Sequence, residues 1–304
     1  MRSVLVGIRR WFRAALIALL IGLFLLGVLA GPHPARIGLW YGWQGLMPLV
    51  GVLVLAATIV QMIRHRRVSR PSLLVTALLA CVSISFIGLS SLPYLPSSLE
   101  RTGPAATVRL PLDGPVRVAW GGDRLAQNYH ASHADQRWAY DLVVEPAFVG
   151  TERLEDYGCF GVPVLAPAAG VVIRAHDGEP DQTPGKPTAP DPISGNAVAL
   201  RLDATGTHLL IAHLQEGSVA VREGERVAEG SRLGACGNSG NTSEPHVHIH
   251  HQREAPGTVP EGFEEGLPLY FRDHDGPPMP TGGFGPDDEP IGAIVRHGDS
   301  SQGH

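Results

Sequence analysis

Gly237-Asn238-Ser239-Gly240-Asn241-Thr242-Ser243-Glu244-Pro245-His246-Val247-His248-Ile249 is the stretch on which the reading of this chain turns. A glycine-rich turn runs into two histidines separated by one β-branched residue, and that alternation predicts a strand. Side chains at i and i+2 of a strand share a face. His246 and His248 therefore project together, while Val247 and Ile249 face the core. Two adjacent imidazoles make a metal site only if further donors converge on them. A catalytic zinc usually takes three protein ligands and leaves one position open.

Upstream, the segment Asn128-Tyr129-His130-Ala131-Ser132-His133 reads as a turn, and Tyr140-Asp141-Leu142-Val143-Val144 as the start of an apolar strand. A carboxylate in such a run is either functional or an edge residue. A further histidine, His213, ends the apolar run Leu209-Leu210-Ile211-Ala212. His176, His208, His250 and His251 read as ordinary strand histidines. The HExxH motif of other zinc proteases is absent.

The chain has 304 residues, a formal net charge of −5 and 17% charged residues, very unevenly spread. No broad basic surface exists, which argues against a nucleic-acid partner. Three uncharged stretches run from Ala14 to Ala35, Ile37 to Ile63 and Pro71 to Leu99. Each exceeds the about 20 residues that cross a bilayer as a helix. A cleaved signal peptide ending at Val28-Leu29-Ala30 would leave two further spans unexplained. Three transmembrane helices over residues 1–99 are therefore expected, in contact with the lipid bilayer. Arg2, Arg9, Arg10 and Arg13 precede the first span and Arg64, Arg66, Arg67 and Arg70 follow the second, so the N-terminus is expected in the cytoplasm. The expected localisation is the cytoplasmic membrane, multi-pass, with everything after Leu99 outside the cytoplasm. There, Cys159 and Cys236 are free to form a disulfide, although sequence alone does not bring them together. Cys81 lies within the third span.

The external part divides into a linker over residues 100–115, a domain over 116–271 and a Gly/Pro/Asp-rich tail over 272–304. The domain reads as mainly β. Val162–Pro167 and Gly170–Ile173 flank a turn, and Ala197–Leu202 and Thr207–His213 form a hairpin around Ala204-Thr205-Gly206. Residues 178–195, with five prolines, form a loop that either rims a site or is a plain surface insertion. The tail reads as poorly ordered except for one last strand within Pro290–Val295. The glycine turns of Val221–Gly234, with Ala166-Pro167-Ala168-Ala169-Gly170, resemble a barrel-sandwich hybrid. A carrier of that fold needs an exposed lysine at a hairpin tip, and the only lysine, Lys186, lies in the Pro-rich loop.

His130, Asp141, Ala212-His213-Leu214, Gly237-Asn238-Ser239-Gly240 and Pro245-His246-Val247-His248 occur in the order seen in the lysostaphin/LytM-type zinc metalloendopeptidases, which this chain resembles over roughly residues 116–255. The resemblance implies a duplicated hybrid-barrel β domain that hydrolyses peptide bonds in peptidoglycan crosslinks. It also implies that His130, Asp141 and His248 hold Zn2+ and that His213 and His246 are the unligated catalytic pair. Better-known members carry the first His and the Asp three residues apart; here an insert separates them, so His133 stands as an alternative to His130. Two neutral imidazoles and one carboxylate would leave the ion a net positive charge and an open position for water. A rival reading is a non-catalytic regulator of other wall hydrolases, as in members that have lost their ligands; this chain retains them.

Overall fold

The structure is a computed structural model that describes residues 22, 25–28, 33–65, 92–186, 188 and 192–298. Its contacts divide the chain into two units, Met1–Leu92 and Pro93–His304.

In the first unit, helix α1 spans His33–His65 and covers the second uncharged stretch. Leu46, Leu49, Val52, Leu53, Ile59 and Ile63 on it are exposed. Gly42, Gln44, Gly45 and Pro48 interrupt the apolar run in its first half. Among the described residues no helix is long and apolar enough to cross a membrane. The expectation of three transmembrane helices is therefore not supported, and most of the first and third stretches lies outside the described residues.

The second unit is mainly β. Its strands are β1 Ala106–Arg109, β2 Pro115–Trp120, β3 Tyr140–Val143, β4 Pro163–Leu165, β5 Gly170–His176, β6 Asn196–Leu202, β7 His208–Leu214, β8 Arg226–Val227, β9 Arg232–Ala235, β10 Val247–Gln252, β11 Gly266–Leu267, β12 Leu269–Arg272 and β13 Ile294–Arg296. A nine-stranded sheet has the order β13-β2-β3-β10-β7-β6-β5-β8, with β11 also on β10. Two small sheets, β1-β12 and β4-β9, complete the unit. The expected hairpin is present as β6 and β7, and its tip turns at Gly206, whose φ of +72° suits glycine. β4 and β5 flank their turn but do not pair; β4 joins β9, whereas β5 joins β6 and β8.

The centre of the large sheet is dense with branched apolar residues. Val118, Leu142, Val247, Ile249, Ile211, Val198 and Leu200 are all fully buried in one core cluster. Each such side chain contributes about 1.5–3 kcal/mol by leaving water. That row fixes the register of β3 on β10, because a one-residue slip would turn Leu142 and Ile249 out of the core. Residues 100–115 contain β1, which runs parallel to β12. Residues 273–298 are anchored as well: β13 pairs with β2, and the N–H groups of Gly282 and Gly283 bond the carbonyls of Gly121 and Ala119 at 3.0 and 2.8 Å. Cys159 and Cys236 form a disulfide with Cα atoms 5.7 Å apart, across 77 residues of chain.

Candidate metal centre

The site is built where β3 and β10 lie side by side. His248 is directly opposite Asp141 in that antiparallel pair. His248 Nδ1 lies 2.8 Å from Asp141 Oδ1, and His246 Nε2, one step before the strand, lies 3.6 Å from the same oxygen. His130 arrives from a short 3-10 turn, Tyr129–Ser132, whose N-cap is Asn128. Its Nε2 lies 3.5 Å from Asp141 Oδ2. Donor atoms of His130, Asp141 and His248 all fall within 4.8 Å of one another, and all three residues are buried. The cluster takes His130 and not its alternative, His133, which is exposed.

Hydrogen-bond partners set the direction of the imidazole lone pairs. The Asn128 amide nitrogen donates to the carbonyls of Gly122 and Ala139 at 2.9 and 3.1 Å. Its oxygen is thereby turned to His130 Nδ1 at 2.9 Å and can only accept. The proton of His130 sits on Nδ1, and Nε2 offers its lone pair to the cluster. The same logic holds for His213, whose Nδ1 donates to the Ser239 carbonyl at 2.8 Å, and for His246, whose Nδ1 donates to the Glu244 carbonyl at 2.8 Å. Three imidazole lone pairs and a carboxylate thus point into one buried space. Acceptors massed away from water repel one another unless a cation lies among them. Two imidazole nitrogens and a carboxylate oxygen suit zinc, so the residues present fit that ion.

The electrostatics carry the same message. Burial pushes the Asp141 carboxyl up, but the surrounding imidazoles outweigh it and hold the group well below the usual carboxylate range. Burial lowers His130 to about 3, and burial followed by its imidazole neighbours lowers His213 far below its ordinary value. Burial also opposes charge on His246, yet the Asp141 carboxylate and the Glu244 carbonyl outweigh it and raise that group.

His213, one residue before the end of β7, departs from extended backbone. Its φ is +62°, in the left-handed region that a histidine adopts only when the surroundings demand it. The demand is visible: its N–H bonds the Ser194 carbonyl and its own carbonyl accepts from Gly237, both at 3.0 Å. Next to it, Ser239 Oγ and the Asn196 amide both donate to the Leu214 carbonyl, at 2.6 and 3.1 Å. The bent backbone brings the His213 ring to 4.7 Å from that of His246. The Pro-rich loop braces the turn from outside. Asn238 donates its N–H to Asp181 at 2.6 Å, and Gly240, at φ +82°, lies so close to Gly195 that a Cβ would sit 2.4 Å from the Gly195 nitrogen. Gly185 of that loop reaches the rim of the cleft beside the cluster, so the loop is more than a surface insertion.

The cleft, about 730 Å³, is lined by His213, His246 and Asp141 and by an aromatic wall of Trp120, Tyr129, Phe148 and Phe284. Trp120 packs edge-on against Tyr129 at 5.2 Å and tilted against Phe284 at 4.9 Å, and Phe148 meets Phe284 at 5.1 Å. The Tyr129 hydroxyl is 3.4 Å from Asp141 Oδ2. Sequence reading placed Asn128 in a turn without giving it a role, and it missed Trp120, Phe148 and Phe284. Arg137, whose sequence context allows either a carboxylate partner or a substrate contact, pairs with Asp123 at 3.0 Å.

Residues 155–258 match the sequence model of Peptidase family M23. The curated peptidoglycan DD-endopeptidase ShyA of Vibrio cholerae serotype O1 is 24% identical over 135 residues, 42% of this chain and 28% of that protein. The chain thus spans little more than a quarter of the curated relative's length. Among solved structures, the catalytic domain of lysostaphin from Staphylococcus simulans is 18% identical, covering 50% of this chain and 86% of that one, with a TM-score of 0.30. A zinc-containing peptidase from Vibrio cholerae is 16% identical, covering 48% and 36% of the two chains, with a TM-score of 0.32. The likeness is thus to M23 peptidases, and the family match covers about a third of this chain. The matched segment holds His213, His246 and His248 but neither Asp141, which the β3–β10 pairing adds, nor His130, which the turn Tyr129–Ser132 adds.

Proposed function

We propose that this chain is a zinc metalloendopeptidase that hydrolyses peptide bonds in peptidoglycan crosslinks, held at the cytoplasmic membrane by its N-terminal third with the β unit outside the cytoplasm. The observation that carries the enzymatic part is the convergence of His130, Asp141 and His248, with His213 and His246 beside them at the wall of an open cleft. In this reading His130, Asp141 and His248 hold the ion. When bound, zinc lowers the pKa of coordinated water toward about 7 and polarises a carbonyl. His213 and His246 do the proton work. Each keeps its proton on Nδ1 through a backbone carbonyl and turns Nε2 to the cleft. One accepts the proton of the attacking water and returns it to the leaving amine; the other, having taken a proton from solvent at Nε2 before the substrate binds, donates it in a hydrogen bond to the developing oxyanion. The aromatic wall of the cleft excludes water and positions the peptide. A duplicated hybrid barrel is part of the same reading. The membrane part rests on the three uncharged stretches, the arginine asymmetry and the exposed apolar residues of α1.

The test is digestion of purified sacculi by the full-length chain in detergent, with mass analysis of the released muropeptides. Release of peptides hydrolysed at an amide, stopped by a chelator and restored by zinc, is the expected outcome. Sacculi left intact by zinc-loaded protein would sink the enzymatic reading. A His248→Ala chain that still activates another wall hydrolase would point to the regulator. Protease added outside intact spheroplasts should remove the β unit; protection of that unit would overturn the topology.

A further inference from the structure

We propose that His250 and Gln252 act as a positioning relay that keeps a proton on His248 Nε2 and so commits His248 Nδ1 to the metal cluster. This deepens the zinc reading above and rests on it for the identity of the ion. Residues 248, 250 and 252 alternate along β10, so their side chains share one face, and all three are buried, with His250 and Gln252 each 3% exposed. The order of protons can be followed from the far end. The Gln252 amide nitrogen donates to the Glu254 carbonyl at 2.8 Å, which turns its Oε1 toward His250 Nε2 at 2.6 Å. A carboxamide oxygen only accepts, so His250 Nε2 carries a proton. The His250 ring is buried with no carboxylate among its hydrogen-bond partners, and a neutral imidazole has only that one proton to place. His250 Nδ1 is then an acceptor, and it lies 2.9 Å from His248 Nε2. His248 must donate there. What remains for His248 Nδ1, 2.8 Å from Asp141 Oδ1, is to share a cation with that carboxylate.

Ligating histidines commonly donate their second N–H to an acceptor, which fixes tautomer and ring orientation. Here a second imidazole fills that place, itself fixed by an amide whose own direction is set by the backbone. A histidine retained only for packing would have no need of Gln252 turned toward it, nor of Gln252 held by Glu254.

The experiment uses the full chain with 15N-labelled histidine. Long-range 1H–15N spectra read the protonation of each His248 nitrogen, and competition with a chromophoric chelator reads zinc affinity. In the native chain His248 Nε2 should be protonated with and without zinc. His250→Leu removes the acceptor; it should weaken zinc binding about 10- to 100-fold and move the metal-free His248 to the Nδ1–H form. His250→Asn, which returns an acceptor oxygen near the place of Nδ1, should recover most of the affinity. Gln252→Leu should give a smaller loss in the same direction and serves if His250→Leu fails to fold. Unchanged zinc affinity in both His250→Leu and Gln252→Leu, or a bare His248 Nε2 in the native chain, would overturn the relay. Absence of zinc binding by the native chain would instead overturn the metal reading, and the metal-free spectrum would still decide the relay.

Discussion

His213, with its left-handed backbone, and His248, with both ring nitrogens engaged, have different duties despite their similar burial. Removing a proposed ligand and removing a proton carrier should therefore fail differently. His248→Ala should lose bound zinc and activity together, whereas His213→Ala and His246→Ala should retain near-native zinc content, read by metal analysis, and lose about 10²- to 10⁴-fold in kcat. The buried histidines also predict how the metal-free fold responds to acid. His130, His213, His250 and His251 all have folded values below the unfolded 6.5, with His251 brought to about 4 by burial. The unfolded chain then binds more protons, so stability falls as pH drops from about 6.5 toward 3 to 4. His246 is raised and acts in the opposite sense, adding stability that is complete below 6.5 and lost as pH climbs through its folded value. Burial lowers His208 as well and raises the carboxyls of Asp181, Glu244 and Glu264, the last to about 7, so these three act with His246; the most buried imidazoles carry the larger displacements, and the thermal midpoint of the metal-free protein should fall between pH 6.5 and 4. A midpoint that rises over that range would contradict these environments.

The segment after Arg272 reads as a loose tail because glycine, proline and aspartate dominate it. Its contribution becomes clear as an element. Thr281 to Ala293 folds back on itself, with Ala293 N–H bonding the Thr281 carbonyl at 2.8 Å and Ile291 N–H bonding Gly283 at 3.0 Å. Gly282 permits the approach to β2, since a Cβ there would lie 2.5 Å from Trp120 Cα. This fold-back delivers Phe284 to the aromatic wall. Phe284→Ala should raise KM up to about tenfold, the scale of one aromatic contact, while kcat and zinc content stay near native. A fall in kcat alone would mean that the ring does something other than bind substrate. The disulfide is a second element-scale device. It ties Cys159, just before β4, to the strand end that precedes the Asn-Ser-Gly turn. Closing so long a loop restricts the unfolded chain by on the order of 4 kcal/mol in the chain-entropy account. Cys159→Ser with Cys236→Ser should lower the thermal midpoint by several degrees, measured by calorimetry at neutral pH.

Over the whole molecule, local patterns were legible and long-range pairings were not. The β6–β7 hairpin, the His-x-His strand and the Pro-rich loop follow from alternation, glycine and proline, because those signals act within a few residues. The order of His130, Asp141, His213, His246 and His248 was likewise readable, and with it the class of chemistry to expect. The sequence by itself therefore determined a mainly β domain and nominated the donor set. The tertiary structure decided which donors meet. Asp141 and His248 are 107 residues apart and become neighbours only through the register of β3 on β10, held by Leu142 and Ile249 in the core. His130 was preferred to His133 because the Asn128 cap aims one ring inward and leaves the other exposed. The bend at His213, the Phe284 wall and the His248–His250–Gln252 line left no local signature, since each depends on what a distant segment or an acceptor atom does. Composition and spacing are properties of the chain; lone-pair direction and register are properties of the packed molecule.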